Sequence, residues 1–152
     1  MLKRAVIFVV CSFLAVTSFA GNVDGLIKKK SMHSVSVTLD RLEELLKKKG
    51  ITLAMRWKHS AKAADVDIKM RDTELLVFGN PKLGSHLMTS QQTASIDLPM
   101  KAIAWKDDKG QVWIAYNDPM YIAKRHGIDD RPAQLKKMSG ALDKLTSKAA
   151  GK

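Results

Sequence analysis

Residues 73–119 read TELLVFGNPKLGSHLMTSQQTASIDLPMKAIAWKDDKGQVWIAYNDP, and their punctuation decides the fold. The apolar run Leu75, Leu76, Val77, Phe78 stops at Gly79, Asn80 and Pro81, so a strand must be redirected there, ahead of a second glycine, Gly84, and a helical turn over residues 82–88. A polar loop over residues 91–95 then leads through Asp97, Leu98 and Pro99 into a second strand, residues 100–105. Asp107, Asp108, Lys109 and Gly110 form a hairpin signal, with Gly110 suited to the left-handed position of a type I turn with a bulge. The return strand is residues 111–116. A three-residue loop sets Trp105 opposite Trp113, Ile103 opposite Ala115 and Lys101 opposite Asn117; a two-residue loop sets Lys101 opposite Tyr116. Either register brings Lys101 to the segment Tyr116, Asn117, Asp118, and the two tryptophans read as core or as a dimer surface.

Upstream, residues 1–20 carry Lys3 and Arg4, an apolar run, and Ser18, Phe19, Ala20 as a small-x-small cleavage site. This is the order of a secretory signal, expected to be cleaved after Ala20, and its apolar run is too short and too interrupted to span a membrane. The chain is therefore expected to be periplasmic or secreted, with no membrane span once mature. The single cysteine, Cys11, lies inside the signal, which excludes disulfides, thiolate metal sites and a cysteine nucleophile from the mature protein. The signal takes two of the 26 basic residues and none of the 15 acidic ones, so the remainder stays strongly basic. In an exported chain that balance points to anionic surfaces rather than to nucleic acid, with simple solubility as the plainer reading.

The expected organisation is a leader over residues 21–30, one domain over residues 31–130, and a basic amphipathic C-terminal helix or tail over residues 131–152. Val35, Val37, Leu39, Leu42, Leu45 and Leu46 pass from alternation to helical spacing, with Ser36 or Thr38 as cap, lysines in the last turn and Gly50 as stop. Residues 51–57 alternate as a strand, and residues 61–64 form a short helix behind His59 and Ser60. In the tail, Leu135, Met138, Leu142 and Leu145 recur at helical spacing. Gly140 weakens the helix, so packing on the sheet or fraying beyond it is preferred to a partner or membrane-surface contact.

Local chemistry is sparse. Gly79 and Gly84 have the spacing of a phosphate-cradling loop, but Ser85 and His86 stand where lysine and a hydroxyl residue should follow, and Pro81 removes a donor. His33, His59, His86 and His126 are scattered without helical zinc spacing, and His86 with Met88 makes only a weak case for Cu(I). No metal or other cofactor is expected.

Taken together, residues 73–84, Leu87, Met88, residues 96–101, the tryptophan hairpin, and Tyr116 to Pro119 followed by Ala123, Lys124, Arg125, His126 and Gly127 resemble the domain of unknown function 302 family over about residues 31–128. The resemblance implies an α+β fold: a small, mostly antiparallel sheet covered by helices, a single domain, often paired as a homodimer, with no established activity. Its characteristic polar positions fall here on His59, Thr73, Asn80, Asp97, Lys101, Tyr116, Asn117, Asp118, Arg125 and His126. The sequence departs from the family at Ser85, where threonine is usual, and over residues 31–37, which lack the usual acidic residues.

The expected function is a non-catalytic module binding a small ligand or a partner; the alternative is a hydrolase- or isomerase-type enzyme using His59 and Asp97 around the Asn80 loop. Both require the Asn80 loop, Asp97, Lys101 and residues 116–118 to converge, with Asp97 and Lys101 as an ion pair in the plainest structural account.

Overall fold

The computed structural model describes residues 25–152; the expected signal and the first residues of the expected leader lie outside them. Five strands, β1 (Leu26–Ser31), β2 (Thr52–Lys58), β3 (Thr73–Gly79), β4 (Met100–Lys106) and β5 (Val112–Asn117), form one sheet in the order β1-β5-β4-β3-β2, every pair antiparallel. The helices are α1 (Val35–Lys48), α2 (His59–Ala64), α3 (Pro81–Ser90), α4 (Pro119–His126) and α5 (Pro132–Ala149), with a 3-10 turn at Gln92–Ile96.

The β4–β5 hairpin takes the register of a three-residue loop. Trp105 pairs with Trp113 and Ile103 with Ala115, and Gly110 sits at φ 79°. The carboxylate of Asp107 holds the turn from inside, accepting the backbone N–H of Lys109 and Gln111 and the indole N–H of Trp113 at 2.8 Å. That indole bond, with the two backbone donors behind it, keeps the Asp107 carboxyl below its ordinary range. Above the hairpin the two indoles stack, centroids 6.4 Å apart.

Register sorts the side chains of the sheet into two faces. On the inner face, Phe78 pairs with Met100, Leu76 with Ala102, Ala102 with Tyr116, and Ala104 with Ile114; all are buried. Val35, Leu39, Leu42 and Leu46 of α1 close over them, as the periodicity of that helix requires. The cap lies two residues before Ser36 and four before Thr38: Ser34, in extended conformation, accepts the N–H of Val37. Arg56 of β2 ties this layer down through Glu74, Asp40, Glu43 and the carbonyl of Ser36. Burial opposes its charge, but the hydrogen bonds to Asp40 and Glu74 outweigh that and raise its pKa.

The stretch read as a leader and the C-terminal helix are both integral. Leu26–Ser31, within and just past the expected leader, is a strand along the whole of β5, so the domain starts before residue 31. Its lysine triplet is split by the period of two: Lys29 points inward and donates to Asp143 and Ser147 of α5, while Lys28 and Lys30 point out over Trp113. The C-terminal helix α5 packs on α1, with Leu135, Met138, Leu142, Leu145 and Ala149 in the core. The tail is therefore part of the domain and not a solvated extension.

Two outcomes follow from this packing. Leu142→Ala should cost about 2–5 kcal/mol in urea unfolding, and deletion of residues 132–152 should abolish cooperative unfolding; a truncated chain that still melts cooperatively would return α5 to the status of an appendage. For Asp107, a lowered folded pKa means a contribution present at neutral pH and lost as the pH falls through that lowered value. The acid-side decline of the urea midpoint should be shallower in Asp107→Asn than in the parent protein.

Candidate functional site

The rim where β3 ends, β4 begins and β5 ends gathers most of the polar residues singled out from the sequence. Lys101 lies opposite Val77, one step from the Ala102–Tyr116 pair, so Lys101 and Asn117 share a rung on the outer face. Asn80 and Asp118 reach the same rim but serve as helix caps: the Asn80 side chain accepts the N–H of Lys82 at 3.0 Å, and that of Asp118 accepts the N–H of Met120 at 3.0 Å. Each is followed by proline at the first helical position, Pro81 and Pro119.

Asp97 does not pair with Lys101. Its carboxylate accepts two bonds from Arg125 Nη1, at 3.1 and 3.2 Å, and one from His126 Nε2 at 2.7 Å. The Lys101 ammonium instead donates to the carbonyls of Asp97 and Pro99, at 3.1 and 3.2 Å. Lys101 leaves β4 on the outer face, whereas Asp97 closes the 3-10 turn beneath the C-terminal end of α4, so nearness in sequence does not bring the two charges together. Because an ionised carboxylate only accepts, His126 Nε2 carries the hydrogen, and Nδ1 faces the hydroxyl of Thr93 at 3.0 Å. The result is a carboxylate–imidazole–hydroxyl chain that staples the 3-10 turn to α4.

The remaining members lie elsewhere. Tyr116 points inward under α5; burial first, then the charges of Asp143 and Asp118, push its phenol up to about 12. His59 opens α2, and Thr73 starts β3 with its hydroxyl on the carbonyl of Arg71 at 2.9 Å. Both are at the far end of β3 from Asn80, about 20 Å away by strand rise. His59 and the Asn80 loop therefore do not form one constellation.

Beside Asn80 is a feature the sequence reading missed. A cleft of about 340 Å³ opens between α3 and α5, floored by Phe78 and Met100 and walled by Leu83, Met88, Leu98 and Leu145. Of the ten singled-out residues only Asn80 lines it. Gly84, on α3, keeps the wall open: a Cβ there would reach only ordinary contact, 3.9 Å from Leu98 Cδ1, and larger side chains would project into the space. The available signal was Gly84 inside a helix together with the apolar stripe of α5, whose Met138, Ala141 and Leu142 supply the opposite wall. No group of three or more histidine, cysteine or carboxylate side chains suited to a metal occurs among the described residues.

Residues 27–145 match the profile of the family Domain of unknown function DUF302. The chain belongs to the DUF302 family. A solved DUF302 structure, an uncharacterized conserved protein from Bacillus stearothermophilus, shares the fold with a TM-score of 0.67 at 18% identity, covering 85% of this chain and 98% of that one. Among curated proteins the chain is 37% identical over 128 residues to "Fluoride-specific ion channel FluC 1" of Brucella suis biovar 1 (strain 1330), which covers 84% of this chain and 50% of the relative. A second FluC 1, from Brucella abortus biovar 1 (strain 9-941), is also 37% identical, with 84% of this chain and 47% of the relative covered. The chain thus spans about half the length of the curated relatives it matches. No helix among its own described residues is long and apolar enough to cross a membrane.

The geometry of Asp97 makes a measurable claim. In double-mutant cycles on unfolding free energy, Asp97→Asn should couple to His126→Gln by about 0.5–3 kcal/mol, and more strongly than to Lys101→Met. The reverse order would reinstate the Asp97–Lys101 pair.

Proposed function

We propose that this DUF302 protein is an exported, non-catalytic module that binds a small apolar ligand in the cleft between α3 and α5 and works on the outer side of a membrane. The cleft carries the reading. It has the volume of a small-molecule site and nearly all-apolar walls, with Thr52, Asn80 and Ser85 as its polar lining residues. An apolar molecule of this size gains by leaving water for such a surface, while a charged one would find no counter-charge there.

The non-catalytic part of the proposal is supported by where the ionisable groups are committed. Asp97 is taken up by Arg125 and His126, Lys101 by two carbonyls, and His59 belongs to the other end of the sheet. Among the described residues no acid or base borders the cleft, which general acid–base chemistry needs. Export is supported by the N-terminal pattern of Lys3, Arg4, apolar run and Ala20. A place beside a membrane is supported by the Brucella relatives, named as ion channels, in which the matched region is about half of a longer chain.

The test is binding of the neutral fluorescent probe N-phenyl-1-naphthylamine to purified protein, followed by mass spectrometry of small molecules that co-purify from the exported fraction. Gly84→Phe and Ala141→Phe should each abolish probe binding with little change in the unfolding midpoint. Retention of binding in both would remove the cleft from consideration. N-terminal sequencing of the exported protein should start at or within a few residues of Gly21, and a retained Met1 would defeat the export reading.

A further inference from the structure

The outer face of the sheet is the largest feature the cleft does not use. Register carries Trp57, Leu75, Ile103 and Ala115 across four strands on one rung, Met55, Val77, Lys101 and Asn117 on the next, and stacks Trp105 on Trp113 beside them. The connection after α2 borders this side through Lys69, Met70 and Arg71, whereas the buried residues of α1 and α5 belong to the core on the other. Met55, Trp57 and Met70 are 46%, 40% and 48% exposed, and a shallow groove of about 550 Å³ runs over Ile103 and Trp105, bordered by Lys69, Arg71 and Lys106. Val77 and Ala115 are buried within this face and Leu75, Ile103, Trp105 and Trp113 are half-buried, so its accessible part is an aromatic and methionine rim, which on an otherwise charged protein marks a contact site.

The charges on it select the occupant. Lys28 and Lys30 lay their ammonium groups 5.8 and 5.6 Å from the centre of the Trp113 ring, on the apolar surface itself. Among the described residues neither has a carboxylate within ion-pair distance. A second copy laid on this face would bring the same lysines against one another and strip their water without supplying an anion. A bilayer with anionic headgroups supplies phosphates at the height of the ammonium groups and a half-polar layer in which indole rings are stable.

We propose that the outer face, centred on Trp105 and Trp113 and flanked by Lys28, Lys30, Lys69 and Arg71, docks on an anionic membrane surface. The proposal rests on the membrane-side reading given above and assigns the surface that makes the contact. In this pose the tryptophans and Met55 enter the headgroup layer while α1 and α5 face away.

The test is co-sedimentation of the purified protein with vesicles of phosphatidylcholine alone and of phosphatidylcholine mixed with phosphatidylglycerol, with tryptophan emission recorded in parallel. Binding should require phosphatidylglycerol, fall with added salt and shift the emission to the blue. Lys28→Glu/Lys30→Glu should weaken it by on the order of tenfold or more, and Trp105→Ser should weaken binding and reduce the blue shift, each variant carrying the same N-terminus as the parent and checked by its unfolding midpoint. No sedimentation with either vesicle overturns the proposal, as does undiminished binding in both variants. A concentration-dependent dimer that Trp105→Ser dissociates would also overturn it and give the face to a second copy. Naphthylamine binding on the same samples separates the two claims: cleft binding without vesicle binding defeats only the docking surface, and vesicle binding without cleft binding defeats only the ligand site.

Discussion

The inner face of the sheet is dry, and the domain depends on its staying so. Leu76, Phe78, Ala102, Ile114 and Tyr116 are sealed by α1 and α5 from opposite ends of the chain, which makes the last helix as necessary as the first. The seal explains otherwise odd polar choices. Lys29 is tolerated inside because Asp143 and Ser147 meet it there, and Arg56 is tolerated because Glu74, Asp40 and Glu43 surround it. The contacts to Asp143 and Ser147 fix α5, and those to Asp40 and Glu43 fix α1, onto the sheet.

The cleft is a by-product of how that seal ends. Past Phe78 the strand turns at Gly79, where an added Cβ would come within 3.0 Å of Pro99, and α3 leaves at an angle set by the Asn80 cap and Pro81. Because Gly84 and Ala141 are small, α3 and α5 approach the sheet without filling the gap between them. The polar chain from Asp97 through His126 to Thr93 braces the neighbouring turn, so the wall near Leu98 is held by hydrogen bonds as well as by packing.

What could be read from the sequence was what is local. The turn residues Asp107 to Gly110 give the hairpin its register, and the periodicity of Leu39, Leu42 and Leu46 gives α1 its buried side, because both signals operate within a few residues. The partners of Lys29 are 114 and 118 residues away, so residues 21–30 read as a leader and not as a strand of the domain. Asp97 presented the same difficulty: Lys101 was the near cation in sequence, yet Arg125 and His126, 28 and 29 residues on, are the near ones in space. The family resemblance supplied the fold and a set of polar positions, but not their division between helix caps, a core phenol and a brace, nor the apolar cleft, which has almost no polar signature.

The two borders of the sheet differ from its open face in one respect. Along β2 the ladder is interrupted between Leu53 and Met55, and along β1 the outward side chains are Lys28 and Lys30. An interrupted ladder offers an incoming strand poor hydrogen-bond registry, and a lysine-lined border repels a copy of itself. Edge-to-edge pairing of one sheet with another is therefore opposed at both margins formed by the described residues.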